Sequence, residues 1–397
     1  MSAADRAGGG ARWLLPVIYL GFISIGLPDG AFGVAWPRMH RDLHVRVELA
    51  GTMLVFVTLL SAASSLASGT LLGRFGTGRV VFASCLLTAG AQWIVSQAQG
   101  LGWLVAAALP LGLGAGAVDA GLNGHVARHY SGRHMNWLHA AWGLGATGGP
   151  LLVNWAITHQ GSWRPGYLIA AIFQTLLALL FLATLGAWPR PAGTPGHSSN
   201  SSNPGVRFGP ATANSAAGFL SVGAFGLYVA SETTLGLWAG SVLVVSRGLS
   251  QETAGAGVAA YFGAITAGRV LVGFVADRWG NRRLIRAGLL LALIGTLLLA
   301  VSPGGVLPCL ALALAGLGLA PVYPSLMHET PRRFTALAAP VVIGRQTSAA
   351  YLGAAVLSPA VGALARVTSL ESACWMAAGG VLALLLVVGR LDRISQT

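Results

Sequence analysis

Gly69-Thr70-Leu71-Leu72-Gly73-Arg74-Phe75-Gly76 returns later in the chain as Gly273-Phe274-Val275-Ala276-Asp277-Arg278-Trp279-Gly280. The outer glycines and the arginine of the two copies stand 204 residues apart. Each copy closes a long apolar run. Gly112 and Gly114 match Gly316 and Gly318 at the same offset, and Asp29 and Gly33 match Glu232 and Gly236 at 203. A constant offset over so many features marks a duplicated unit, and internal duplication of hydrophobic segments is a hallmark of transport proteins.

The segments that carry the repeat are apolar. Of 397 residues, 54% are hydrophobic and 9% charged. Soluble domains carry about 25% charged residues, so this surface is expected to face lipid. A bilayer core takes about 20 apolar residues as a helix. Such runs fall at 13–36, 49–73, 80–98, 102–127, 137–159, 166–188, 213–240, 252–275, 284–301, 305–327, 337–364 and 372–390. The fold expected is an all-α membrane protein of twelve transmembrane helices, two parallel-repeat six-helix bundles at 1–188 and 213–397. Between them, 189–212 is rich in Pro, Gly, Ser and Asn and reads as a cytoplasmic linker.

All 24 basic residues are arginines, against 11 acids. They are scattered between apolar runs rather than gathered on one face, which excludes a nucleic-acid reader. With both termini cytoplasmic, 16 arginines fall inside and 6 outside, the bias that sets membrane orientation. A plasma (inner) membrane location follows. The run from Trp13 to Leu27, with Gly33-Val34-Ala35 after it, also has the outline of a signal peptide; an uncleaved first helix is preferred, because many spans follow and the first holds an acid. Cys85, Cys309 and Cys374 each stand alone in apolar sequence and read as small fillers. No metal or cofactor motif is present, and no Ser-His-Asp set or phosphate loop, so an enzyme is not expected.

Asp29, Asp119 and Glu232 lie inside apolar spans, where an acid is costly and marks an ion or substrate path. They are candidate proton-coupling groups. Asn123 follows Asp119 by one turn and shares its face. Asn136 and His139 share a face at the start of the fifth span. With Trp142, Tyr228, Trp238, Tyr323 and Gln346 they make a candidate binding set for a small polar solute, because hydroxyls need donors and acceptors while C–H faces pack on rings.

Gly273 to Arg283 reads G-x-x-x-D-R-x-G-x-R-R and resembles the signature loop of the major facilitator superfamily. The resemblance implies a cytoplasmic gate built on Gly69, Arg74, Gly273, Asp277 and Arg278. The first copy departs from it, with Gly73 where the second has Asp277, and should latch more weakly. P-D-G-x-x-G-x-x-W-P around Asp29, D-A-G-L-N from Asp119 and M-N-W-L-H from Met135 resemble the L-fucose permease-like branch, whose relatives include proton-linked and sodium-linked sugar symporters. That resemblance implies coupling and sugar contact at Asp29 and Asp119. Arg345, in the eleventh span, is not a charge the branch implies. The expected function is proton-coupled symport of a small polar solute such as a sugar, by a monomer that uses a proton or sodium ion. The alternatives are a proton-coupled exporter, for which Gly145-Ala146-Thr147-Gly148-Gly149-Pro150 resembles part of an antiporter motif, and a transceptor that senses solute without moving it.

Overall fold

The structure is a computed structural model and describes residues 14–46, 49–189, 208–357, 360, 363–364 and 367–395. The apolar runs are helical: α1 Leu14–Asp42, α2 Leu49–Phe75, α3 Thr77–Ser96, α4 Leu101–His129, α5 Gly132–Gln160, α6 Arg164–Ala183, α7 Ala216–Ser241, α8 Gln251–Trp279, α9 Asn281–Val301, α10 Leu307–Leu319, α11 Val322–Arg333, α12 Ala338–Leu352 and α13 Ser372–Ile394. Among the described residues there is no β-strand, only an isolated bridge between Ala211 and Phe334. Several helices overrun the apolar runs, α8 to Trp279 and α13 to Ile394 for example. The backbone ladder continues into the polar interface because it satisfies its own groups there as well as in lipid.

Among the described residues, ten spans are long and apolar enough to cross a bilayer. The fifth, α5, is 29 residues long but carries His134, Asn136, His139, Asn154 and His159. The expected eleventh span, 337–364, begins as α12, passes into a π turn at Gly353–Leu357 and then runs onto residues that are not all described. The tenth is interrupted at Ala320–Pro321, between α10 and α11. Pro321 has no N–H for the ladder and crowds the preceding turn. Most of the expected linker lies outside the described residues, as do residues 1–13. The Gly33-Val34-Ala35 stretch sits inside the continuous helix α1.

Two compact units result. One holds the residues up to His125 and those from Ala141 through the sixth span; the other holds Val126–Ala140 and the residues from 208 onward. Inside both units the repeat is visible as backbone contact. A Cβ on Gly112 would stand 2.7 Å from the Val57 carbonyl oxygen, and one on Gly316 would stand 2.5 Å from that of Tyr261. Gly114 faces the Ser84 carbonyl and Gly318 the Gly288 carbonyl in the same way. Each pair in one unit maps onto the other at the 204-residue offset, so the duplicated glycines are the places where backbones touch, as small residues permit in membrane bundles. Gly76 and Gly280, which close the two loop copies, both hold positive φ, 81° and 77°, a conformation other residues rarely adopt.

The outer faces invert the rule for soluble proteins. Leu66, Leu151, Phe219, Leu271 and Leu386 are each more than half exposed, whereas Ser65, Ser68, Gln174, Thr296 and Thr347 are buried. Lipid is the solvent such a surface suits.

Candidate functional site

In the first unit, α1 and α5 meet through glycine. Gly145 abuts the Ile23 carbonyl, Gly149 the Leu27 carbonyl, Gly26 the Trp142 carbonyl and Gly30 the Ala146 carbonyl. At every one of these positions a side chain would strike backbone. The Gly145–Pro150 stretch is therefore a close-packing seam. The seam brings Trp142 over Asp29, and the indole Nε1 donates to Asp29 Oδ2 at 3.1 Å. Asp29 is exposed on its helix. Helix α1 runs unbroken through Pro28 and Gly30. On α4, Asn123 Nδ2 donates to Asp119 Oδ1 at 2.7 Å, as their one-turn spacing requires; Asn123 is fully buried and Asp119 half-buried.

In the second unit the acid has a cationic partner. Glu232 on α7 pairs with Arg269 Nη2 on α8 at 3.2 Å. The Tyr228 hydroxyl, one turn earlier on α7, lies 3.2 Å from Glu232 Oε1 and 3.2 Å from the Leu319 carbonyl oxygen at the end of α10. Arg269 Nη2 lies 3.5 Å from that hydroxyl, and Tyr261 donates to the Glu232 carbonyl at 2.9 Å. Tyr323, near the start of α11, packs on Phe225, on Tyr228 and on the His139 ring, with centroids 4.8, 5.6 and 4.9 Å away. Glu232, Tyr228, Tyr323 and His139 were expected at a site and are brought together here. Arg269 and Tyr261 were not expected. A lone arginine within the eighth apolar run was the available signal.

The loop motif builds a second feature in this unit. Asp277 Oδ1 accepts from the backbone N–H of Arg133 at 3.2 Å and Oδ2 from the Ser131 hydroxyl at 2.9 Å; Arg133 Nε adds an ion pair at 3.7 Å. These contacts put a carboxylate on the N-terminus of α5, where unpaired N–H groups and the helix dipole favour it. Gly273 is the point at which the Trp137 indole crosses α8, so close that a Cβ would collide with the ring; Trp137 Nε1 donates to the Val270 carbonyl at 3.2 Å. Arg278 is exposed and makes no ion pair among the described residues. In the first copy Gly73 has nothing within 4 Å of its Cβ position, and Arg74 lies exposed over Phe75.

A buried ionic network lies where no site was expected. Arg333 Nη2 and Asp392 Oδ1 stand 2.8 Å apart, each side chain 1% exposed. Arg286 binds the other Asp392 oxygen at 2.7 Å. Arg282 reaches Glu329 at 3.5 Å. Asn281 joins Glu329 to His328, whose other ring nitrogen lies 2.9 Å from the Tyr130 carbonyl.

Three expected solute contacts have other local engagements. Gln346 is fully buried, with its amide donating to Ser221 and Thr330 at 2.6 and 3.0 Å. Asn136 is fully buried and donates to the Gly132 carbonyl at 2.9 Å. Trp238 lines a narrow crevice with Thr234, Leu299 and Cys374. Arg345 anchors the start of α7, donating to the Ala213 carbonyl and to Asn214 Oδ1 at 3.0 and 2.9 Å. Among the described residues no three His, Cys, Asp or Glu side chains could hold a metal ion.

The family model described as Major Facilitator Superfamily matches residues 18–237 and 216–395. Among solved structures, the major facilitator transporter FucP in its outward conformation is similar over 95% of this chain and 98% of its own, with a TM-score of 0.77 and 14% identity. The human organic anion transporter MFSD10 covers 95% of this chain and 99% of its own, at TM-score 0.75 and 16% identity. The proton:xylose symporter XylE covers 94% of each chain at 0.70 and 14%.

Proposed function

The chain belongs to the Major Facilitator Superfamily, and we propose that it is a proton-coupled symporter that moves a small polar solute such as a sugar by alternating access. The observation that carries the reading is Asp29: an intramembrane carboxylate, exposed on its helix, held on one oxygen by a neutral indole N–H. Such a group gains or loses a proton without breaking an ion pair, and the donor that orients it serves both states. Asp119 with Asn123 supplies a second acid and an amide in the same unit, chemistry suited to a hydroxylated solute. The E. coli fucose:proton symporter FucP and XylE share the fold, which fits the reading. Asp277 on the α5 N-terminus acts as the cytoplasmic latch. The two six-helix halves, with cytoplasmic termini in the inner membrane, work as a monomer.

The exporter alternative drew on the Gly145–Pro150 stretch, in which Gly145 and Gly149 pack directly on the α1 backbone. The test is uptake into proteoliposomes over a panel of sugars, under an imposed pH gradient and, separately, a sodium gradient. Gradient-driven accumulation of a sugar upholds the reading; loss of preloaded organic cations with no sugar uptake overturns it in favour of export.

A further inference from the structure

At one corner of the second unit α9 begins where α13 ends, and Arg286 Nη2 ties the two ends by binding Asp392 at 2.7 Å. Helices α9, α11 and α13 carry seven arginines, all at this end, against Glu329 and Asp392. Both acids are already taken. Asp392 also holds Arg333 at 2.8 Å, with Arg282 3.9 Å away, and Glu329 holds Arg282 and Asn281. Arg283 and Arg393 are exposed and make no ion pair among the described residues, and the Arg286 side chain is still 53% exposed beside Asp392.

The duplicated corner of the first unit is built without these ions. At the 204-residue offset Gly78 stands for Arg282, Phe82 for Arg286, His125 for Glu329 and Trp188 for Asp392. The Trp188 indole lies on Gly78, its Cγ 2.6 Å from where a Cβ would stand, and the His125 ring packs on it at 4.8 Å. This corner can therefore be closed with rings, and closure alone does not account for the arginines of the second unit. The faces that leave the corner are apolar and outward. On α9, Leu290, Ile294 and Val301 follow Arg283 and Arg286 at helical spacing and are each more than half exposed. On α13, the exposed Leu382 and Leu386 lead to Arg390 and Arg393 in the same way.

We propose that this corner binds an anionic phospholipid, with the headgroup phosphate on Arg283, Arg286 and Arg393 and the acyl chains along the outward stripes of α9 and α13. Charge complementarity selects the occupant. Guanidinium groups take phosphate through paired N–H donors, and basic ends of neighbouring membrane helices suit acidic head groups. A phospholipid carries its phosphate and its hydrocarbon in the order in which the two helices present arginine and leucine. The site is separate from the path of the transported solute.

The test adds phosphatidylglycerol, phosphatidylcholine or glycerol 3-phosphate to the full chain, delipidated in detergent, and reads retention by native mass spectrometry. Phosphatidylglycerol should bind about tenfold or more tightly than phosphatidylcholine. The double variant Arg283→Gln with Arg393→Gln leaves the Asp392 contacts in place and should melt like the wild type without lipid. Its affinity for phosphatidylglycerol should fall tenfold or more, at about fivefold for each arginine beside an anionic headgroup, and either single variant should lose about fivefold. Arg79→Gln, the first-unit equivalent of Arg283, should leave binding unchanged. Equal retention of the two lipids, or unchanged affinity in the variants, overturns the site. An equal loss in Arg79→Gln assigns the effect to net charge rather than to this corner. Glycerol 3-phosphate held as tightly as the lipid makes it a site for a soluble anion and removes the lipid. Solute uptake enters none of these readouts, so their failure leaves the transport reading in place.

Discussion

Trp142 reaches across from α5 to place its indole N–H 3.1 Å from the Asp29 carboxylate on α1, and it does so because the two helices touch at backbone. Gly26 and Gly30 on one side and Gly145 and Gly149 on the other leave no room for a side chain. Packing and chemistry are thus one feature: the seam that joins the helices also sets the position of the acid.

Asp29→Asn should separate binding from energy coupling. The amide fixes the position in a neutral state, so solute exchange in counterflow should persist while accumulation is lost. One proton crossing 100 mV supplies about 2.3 kcal/mol and one pH unit adds about 1.4 kcal/mol, together about 500-fold for a neutral solute. The variant should fall to equilibration on the same liposomes. A variant that still concentrates solute assigns the coupling to another acid.

Gly149→Ala should destabilise the fold, because its Cβ would strike the Leu27 carbonyl. Overpacking of this kind costs about 1–3 kcal/mol. Gly148→Ala is the control: its Cβ would meet only Leu27 Cδ2 at 3.7 Å, an ordinary contact. Thermal unfolding in detergent distinguishes the two, and equal melting temperatures would remove the seam as an explanation.

Asp277→Asn should loosen the α5 N-terminus and slow transport, whereas Gly73→Ala, in open space, should not. The Asp277 and Arg133 side chains are 37% and 43% exposed, so screening keeps the effect to the modest range for helix ends, about 0.3–1 kcal/mol. That corresponds to about two- to fivefold in the closed-state equilibrium. Modification of a cysteine introduced near Ser131 reads the opening directly, and an unchanged rate of labelling in Asp277→Asn counts against the latch.

Asp392→Asn should be among the most destabilising conservative substitutions in the second unit. It removes the carboxylate that Arg333, 1% exposed, binds at 2.8 Å, and removing one member of a buried pair costs about 3–5 kcal/mol. Adding Arg333→Gln should recover part of the loss in a melting experiment. If the single variant melts like the wild type, the pair is not an essential tie.

The spans and the repeat were legible because a bilayer imposes length and apolarity on each helix, and duplication copies glycines at a fixed offset. The Asp119–Asn123 contact was legible because one helical turn fixes it. The loop motif singled out Asp277 without naming its partner, and the structure sets its carboxylate on the α5 N-terminus. Arg269 went unassigned because a lone charge in a span does not name its partner. Gln346, equivalent by offset to Trp142, was grouped with the solute contacts, but its amide is spent on Ser221 and Thr330. The helix rotation that buries it is not written in composition. The Asp392 network was missed for a related reason, since its ion-paired side chains are up to 110 residues apart, from Arg282 to Asp392.

Sequence by itself determined the membrane class, the two-fold repeat and the acids within the spans, since those follow from the free energy of placing each residue type in lipid. Tertiary structure alone decided which acid met a neutral indole and which met a guanidinium. Such pairings depend on how each helix is turned about its axis, and that angle is set by backbone contact between distant glycines rather than by any local period.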